Sequence, residues 1–243
     1  ASQSVISRPS DTAFAELMYD TYDIDGYDNI QYHTPAGMLP YGITAKIGYA
    51  PSGNATDGGD YASTGSENSG TAANTETTAA GGLTITAGGT SVMHYQVKAN
   101  EIPMLDGLEI GADYLTFDNV SGAVDQKPES GAYYAKFSAG PAVIGYSKNF
   151  TAFPVNLITA DRVESVENTK YSISFNVNDN LSLSYENEKS QPQTTRNAAQ
   201  MEMESDGLQA AYTMGGMTIS VAINEHENAT YTQNYDVKDK VVS

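Results

Sequence analysis

The fold is decided by the stretch Leu208-Gln209-Ala210-Ala211-Tyr212-Thr213-Met214-Gly215-Gly216-Met217-Thr218-Ile219-Ser220-Val221-Ala222-Ile223. Apolar side chains occupy every second position on both sides of the two glycines, and this period of two indicates β-strands. A two-residue glycine turn pairs Met214 with Met217 and Tyr212 with Ile219, which brings the apolar side chains of both strands to one face. The stretch therefore predicts a β-hairpin with one apolar and one polar face.

The same alternation recurs along the chain. Tyr41 and Tyr49 share the apolar face of a strand at 40–50, and Ile173 and Phe175 share that of a strand at 168–177. Helical periodicity of useful length is absent from the sequence. The patterns predict an all-β chain of about eleven strands, at 27–33, 40–50, 91–99, 108–117, 131–139, 142–150, 168–177, 181–188, 207–214, 217–225 and 235–243.

The connections between these strands alternate between short and long. Tight turns such as Gly140-Pro141 alternate with polar segments rich in Gly, Ser, Thr and Asn, of which 51–90 is the longest. In an antiparallel up-and-down meander every second connection lies at the same end, so one end carries the tight turns and the other the long loops. This layout is typical of an outer-membrane β-barrel with short periplasmic turns and long outer loops. We therefore predict one domain over 1–243, a transmembrane antiparallel up-and-down β-barrel with 51–90 as a long outer loop.

The composition favours a barrel over two packed sheets. Leu, Ile, Val and Phe make up about 18% of the chain, which is little for the core between two facing sheets. A barrel whose apolar side contacts lipid needs no such core. The alternative is a secreted or surface-attached β-sandwich that serves as an adhesion or binding module. In that fold Ile173, Phe175, Ile219 and Val221 are buried against each other.

Charge and cysteine content exclude several classes of function. The chain carries 30 acidic and 12 basic side chains, a net charge of −18, and no cysteine. The acidic balance argues against nucleic acid as a partner, and the lack of cysteine excludes disulfides, thiolate zinc sites and cysteine nucleophiles. Apolar runs are too short for a transmembrane helix, and Ala1-Ser2-Gln3-Ser4 does not look like the start of a signal peptide.

Three stretches resemble the general porins of Gram-negative outer membranes, in particular those of the alphaproteobacterial type. They are the hairpin from Tyr171 to Tyr185, the hairpin from Leu208 to Ile223, and Asn29-Ile30-Gln31-Tyr32-His33-Thr34-Pro35 running into Ala45-Lys46-Ile47-Gly48-Tyr49-Ala50-Pro51. The resemblance implies trimers of sixteen-stranded barrels, of which this chain is the C-terminal two-thirds, beginning in the constriction loop. One departure is the ending Val241-Val242-Ser243, which lacks the terminal aromatic residue that such porins carry.

The segment 1–28 carries a cluster of carboxylates that we predict to be a pore constriction. Clustered acids in a narrow, partly dehydrated passage attract cations and repel anions, because solvent screening is weak there. The alternative is a solvated acidic loop. The predicted constriction residues are Glu16, Asp20, Asp23, Asp25 and Asp28.

A calcium site is a second possibility in the same segment. Asp23 and Asp25 match positions three and five of an EF-hand loop, but Thr21 and Tyr32 stand at positions one and twelve, so the template fails. A looser weak calcium site at Asp23 and Asp25 stays open. The sequence gives no reason to expect any other metal or cofactor.

The polar faces of the predicted strands supply candidate lining residues. In a barrel these side chains border the lumen, and a water-filled lumen accepts charge. We predict lumen-facing positions for Lys46, His94, Gln96, Lys98, Glu109, Asp113 and Lys136. The three lysines among them would form a basic wall opposite the acidic segment. Lys148 falls on the apolar face near a strand end, as expected of a lysine that reaches the membrane interface.

Enzyme chemistry has little support in the sequence. The three histidines, His33, His94 and His226, are far apart, and nucleophile elbows and phosphate-binding loops are absent. We therefore predict a non-enzymatic porin of the Gram-negative outer membrane, a trimeric channel for passive diffusion of small hydrophilic solutes and ions that prefers cations. Its expected surroundings are the lipid bilayer and lipopolysaccharide.

Overall fold

The computed structural model describes residues 29–51, 91–118, 126–152, 163–194, 202–229, 234 and 236–242. They form one sheet of eleven strands in which each strand pairs antiparallel with its neighbour in the sequence. The prediction of an all-β, antiparallel up-and-down fold is confirmed. The strands are β1 (Ile30–His33), β2 (Thr44–Ala50), β3 (Ser91–Ala99), β4 (Leu108–Asp118), β5 (Glu129–Ala139), β6 (Ala142–Ala152), β7 (Val163–Asn176), β8 (Leu181–Thr194), β9 (Met203–Met214), β10 (Met217–Glu227) and β11 (Val237–Val242).

The sheet has two unlike ends. Because the strands alternate in direction, the connections 34–43, 100–107, 140–141, 177–180 and 215–216 all lie at one end, the turn end. The other connections lie at the opposite end, the loop end. The predicted outer loop 51–90, except Pro51, lies outside the described residues, as does the predicted constriction 1–28. Within the described part of the chain, β1 and β11 are the two edges of the sheet.

The register predicted for the hairpin around Gly215-Gly216 is confirmed, because Met214 pairs with Met217 and Tyr212 with Ile219. Across Gly140-Pro141, β5 pairs with β6 through Ala139 and Ala142. Gly140 and Gly215 open these two-residue turns with φ of 59° and 63°. Only glycine adopts such angles at little cost, which is why these turns carry it.

The first predicted part of β2 is not a strand. Residues Pro40–Gly42 form a short 3₁₀ turn in which Tyr41 has φ of 60°. The strand therefore begins at Thr44, and the prediction that Tyr41 lies on its apolar face was wrong. Pro40 has no backbone N–H to donate to a neighbouring strand, which favours a turn at this place.

Several strands extend further toward the loop end than predicted. β7 begins at Val163 rather than 168, β8 continues to Thr194 rather than 188, and β9 begins at Met203 rather than 207. Here Glu167, Lys189 and Glu204 stand where the alternation expects apolar residues, and the buried Val166 and Met203 lie on the opposite face. The predicted alternation is therefore lost although the backbone ladder continues.

The sandwich alternative is wrong for the described residues, which form a single sheet. The side chains that a sandwich would bury are open to the surroundings, since Ile173, Phe175 and Ile219 are 44–46% exposed. No helix in the described ranges has the length and apolar character needed to cross a membrane.

Candidate functional site

The two faces of the sheet differ in chemistry over most of their area. One row of cross-strand partners on the first face, the polar face, reads Lys98, Gly111, Tyr134, Ser147, Lys170, Glu188, Ser205 and His226. One row on the second face, the apolar face, reads Ile144, Ile173, Tyr185 and Leu208. Because the side-chain period is two on every strand, residues two apart lie on the same face. The polar face is not polar throughout, since toward the loop end it also carries the buried hydrophobic side chains Val92, Leu115, Phe117, Val166 and Met203.

The polar face is the buried one. Toward the loop end it holds the buried polar side chains Ser147, Asn149, Thr151, Asn168, Lys170, Glu186, Glu188, Ser190, Ser205, Asn224 and His226. The apolar face, in contrast, leaves most of its large hydrophobic side chains exposed. Soluble proteins have the reverse distribution. An exposed apolar surface of this size marks contact with a membrane or another protein.

The apolar face is layered from the turn end to the loop end. Next to the turns lies an apolar band that includes Ile47, Val97, Ile110, Phe137, Ile144, Ile173, Leu183 and Ile219. Above it comes a tyrosine belt, which we define as Tyr49, Tyr95, Tyr114, Tyr133, Tyr146, Tyr171 and Tyr185. Beyond the belt the same face is charged, with Lys148, Glu167, Lys189, Glu204, Asp206 and Glu225.

Contacts within the tyrosine belt fix its orientation. The rings of Tyr146 and Tyr171 have centroids 5.2 Å apart. The hydroxyl of Tyr185 donates to Asp206, and that of Tyr114 donates to Glu129. The rings therefore cover the apolar band while their hydroxyls meet the charged layer, which is the arrangement that tyrosine adopts between apolar and polar surroundings.

The belt is staggered relative to the rows of cross-strand partners. The row Ala45, Val97, Ala112, Tyr133, Lys148, Thr169 and Lys189 crosses from β2 to β8. On β2 this row lies four residues below Tyr49, toward the turn end, and on β8 it lies four residues above Tyr185. A row of partners therefore begins in the apolar band and ends in the charged layer.

All the predicted lumen-facing residues lie on the polar face: Lys46, His94, Gln96, Lys98, Glu109, Asp113 and Lys136. That they line a lumen stays a prediction. Their contacts differ from the expected basic wall, because Lys98 and Lys136 both bind Glu109, with Nζ–Oε distances of 2.7 and 3.2 Å. Two of the three lysines thus share one carboxylate.

Further contacts hold this group in place. The Tyr134 hydroxyl donates to Glu109 at 3.0 Å, and the Tyr134 ring lies over Gly111, where a Cβ atom would meet it at 2.5 Å. Nε2 of His94 lies 3.5 Å from Asp113 Oδ2. The polar face near the turn end therefore carries paired charges, with Glu109 at their centre.

Sequence reasoning missed a second charged group, on the loop-end half of the polar face. Lys170 Nζ lies 2.8 Å from Glu188 Oε1, and both side chains are buried. Ser205 and His226 continue the same row, with 2.6 Å between Oγ and Nδ1. The available signal was the alternation itself, because these four residues stand at the polar positions of their strands. The assignment of polar positions to one face, which found Lys46 and Lys98, would also have found them.

The contact between Ser205 and His226 has the geometry of a nucleophile with its base. Ser205 is 2% and His226 1% exposed, so a substrate does not reach the hydroxyl. We interpret the contact as a structural hydrogen bond between β9 and β10.

Lys148 lies where the sequence placed it, on the apolar face just beyond the tyrosine belt. Its Nζ lies 2.8 Å from Glu167 Oε2 on β7. The predicted constriction and calcium residues Glu16, Asp20, Asp23, Asp25 and Asp28 are outside the described residues. Within the described ranges, His, Asp and Glu side chains form no group of three that could hold a metal ion.

Comparison with known proteins gives similarity in structure and none in sequence. The sequence matches no protein-family model and no curated protein. The structure is similar to in-vitro folded OmpT, an outer membrane protein of Vibrio cholerae, with a TM-score of 0.47 and 14% sequence identity. The match covers 88% of this chain and spans 59% of the length of the OmpT chain.

Proposed function

We propose that the protein is a porin of the Gram-negative outer membrane that lets small hydrophilic solutes diffuse through a water-filled channel. One observation carries the proposal: a largely polar face backs an exposed apolar band that is capped by the tyrosine belt. Lipid fills the space against the apolar band, and the belt lies at the boundary between acyl chains and headgroups. The part of the polar face around Lys98, Glu109 and Lys136, where the lysines are partly exposed, then borders the channel water.

Such a channel needs no catalytic residue. Its wall replaces the low-dielectric bilayer with polar groups, so that a solute crosses without losing its water. The charged layer beyond the belt faces the headgroups of the outer leaflet, where lipopolysaccharide and the bilayer are the expected partners. The resemblance to general porins supports a homotrimer as the assembly.

The proposed preference for cations rests on charge. The chain carries a net charge of −18, and five carboxylates lie between Glu16 and Asp28. A passage bordered by such a segment concentrates cations and repels anions.

Planar bilayers test the proposal directly. Purified protein folded in detergent should give stepwise conductance with a reversal potential that favours cations. The absence of conductance from well-folded protein would contradict the channel, and a water-soluble monomer would contradict membrane insertion.

A second measurement assigns the constriction. The combined variant Asp20→Lys, Asp23→Lys and Asp25→Lys should lower the cation preference. Glu167→Lys on the apolar face is the control and should leave the reversal potential unchanged. If the triple variant also leaves it unchanged, the acidic segment is not the constriction.

A further inference from the structure

Two adjoining grooves cross the apolar face. The first has a volume of about 340 Å³, and the apolar-face side chains along it are Ala45, Ile47, Tyr95, Val97, Ala112 and Tyr114. The second has a volume of about 330 Å³, and the corresponding side chains are Ala112, Gly131, Tyr133, Lys148, Phe150 and Glu167. Ala112 belongs to both, so they form one furrow from β2 to β7, which we call the wall groove.

Small residues create this space. Ala45 and Ala112 lie between larger neighbours, and at Gly131 the Phe150 ring lies against the backbone. The volume of each half lies in the range of sites that bind small ligands. Its floor is apolar, so it favours an apolar occupant.

The stagger of the tyrosine belt gives the wall groove a direction. The groove follows the row of cross-strand partners from Ala45 through Ala112 to Lys148. On β2 this row lies four residues below the belt, and on β6 it lies two residues above it. One end of the groove therefore lies in the apolar band. The other end lies in the charged layer, at the ion pair of Lys148 with Glu167.

An occupant of this groove must be apolar along most of its length and polar at one end, where Lys148 and Glu167 form an ion pair. The lysine ammonium group has three N–H donors, so it can bind a phosphate oxygen beside Glu167. Lys148 Nζ is the cation at the upper end, and its side chain is one-third exposed although it binds Glu167. Lysine binds phosphate as a point charge. A lipid with a phosphate headgroup has this chemistry, with its acyl chain in the apolar part and its phosphate at the ammonium group.

We propose that the wall groove is a binding site for one lipid, whose acyl chain lies against Ala112 and the Phe150 ring and whose phosphate contacts Lys148. The site rests on the proposed membrane location, since only there is the apolar face in contact with lipid. It goes beyond general contact with the bilayer because it assigns one position on the wall to one lipid.

Native mass spectrometry of the protein released from detergent micelles tests the site. The probes are dimyristoylphosphatidic acid, which carries the phosphate alone, and dimyristoylglycerol, which lacks it. We expect one bound phosphatidic acid on the unaltered protein and about tenfold weaker retention on Lys148→Gln, because a charge-assisted contact is lost. Ala112→Leu fills the groove and should remove binding of both probes.

Matched variants control for general effects of mutation. Lys189→Gln removes a lysine of the charged layer that lies outside the groove, and Ala210→Leu enlarges an alanine of the apolar face on β9. Both should bind phosphatidic acid like the unaltered protein, and far-ultraviolet circular dichroism should show the same strand content throughout.

Three outcomes would overturn the proposal. Equal retention of phosphatidic acid by all variants removes the site, and equal retention of both probes by the unaltered protein removes the role of Lys148. If Ala112→Leu instead dissociates an oligomer and the protein retains no lipid, the groove holds a second copy of the chain. These results are independent of conductance in bilayers, so a working channel without the site is distinguishable from a failed channel.

Discussion

Lys170 on β7 and Glu188 on β8 lie directly opposite each other and form a buried ion pair, with 2.8 Å between Nζ and Oε1. Their side chains are 4% and 1% exposed. Removing one partner of such a pair leaves an uncompensated charge out of water, which costs far more than the pair contributes.

We therefore expect Lys170→Met to lower the free energy of unfolding by about 3–5 kcal/mol. The double variant Lys170→Met with Glu188→Leu should lose clearly less, because it removes both charges. Urea titrations of the protein in detergent, followed by circular dichroism, give both values. Lys127→Met is the control: its Nζ also lies 2.8 Å from a carboxylate, Asp118 Oδ1, but both side chains are at least half exposed. That variant should cost less than about 1 kcal/mol, and equal losses for the two lysines would contradict the expectation.

Gly131 leaves space for the Phe150 ring on the neighbouring strand. A Cβ atom there would lie 2.8 Å from Phe150 Cε1 and 3.1 Å from the backbone oxygen of Asp113. Gly131→Ala should therefore lower the free energy of unfolding by about 1–3 kcal/mol through overpacking. In the turn after β9, Gly216 has no atom within 4 Å of its Cβ position. Gly216→Ala should change stability by less than about 0.5 kcal/mol, and a similar effect of both substitutions would refute the packing argument.

Adjacent residues on β8 should meet different media. Leu183 lies on the apolar face and Ser182 on the polar face. The chain has no cysteine, so Leu183→Cys and Ser182→Cys each allow a single nitroxide label. In lipid vesicles we expect oxygen to relax the label at 183 more strongly, and a water-soluble nickel chelate to relax the label at 182 more strongly. The opposite order would place the apolar face toward the channel.

Glu109 should influence ion selectivity through the lysines that it binds. Glu109→Gln leaves Lys98 and Lys136 without their shared carboxylate, which adds positive charge to the polar face. In planar bilayers the reversal potential should shift toward anions. Glu167→Gln is matched, because it frees Lys148 on the apolar face, and it should leave the reversal potential unchanged. A shift in both variants would mean that the two faces are electrically equivalent.

The sequence predicted the sheet well where one face is apolar. The hairpin around Gly215-Gly216 has its predicted register because a slip by one residue would put Ile219 and Val221 on the polar face. The upper parts of β7 and β8 were missed because Glu167 and Lys189 stand where the alternation expects apolar residues, while Val166 lies on the polar face. Tyr41 was misplaced because its parity fits a strand although its backbone is in a turn.

The sequence predicts on which face each residue of the candidate site lies, but it does not predict which residues contact each other. Parity assigned Lys98, Glu109 and Lys136 to the polar face, but their ion pairs depend on the register of β3, β4 and β5. The connections 100–107 and 119–128 are longer than two-residue turns, so their lengths do not determine that register. The pairing of Lys170 with Glu188 spans a tight turn, and it could have been derived from the turn alone.

In the proposed membrane location, the stagger of the tyrosine belt also determines how steeply the strands cross the bilayer. The belt shifts by eight residues over the six strand spacings from Tyr49 to Tyr185. With a rise of roughly 3.4 Å per residue and a spacing of roughly 4.8 Å between strands, a belt parallel to the membrane plane requires strands that are inclined by about 43° to the membrane normal. An eleven-residue strand such as β6 then rises only about 27 Å, close to the height of the hydrocarbon layer that it has to cross.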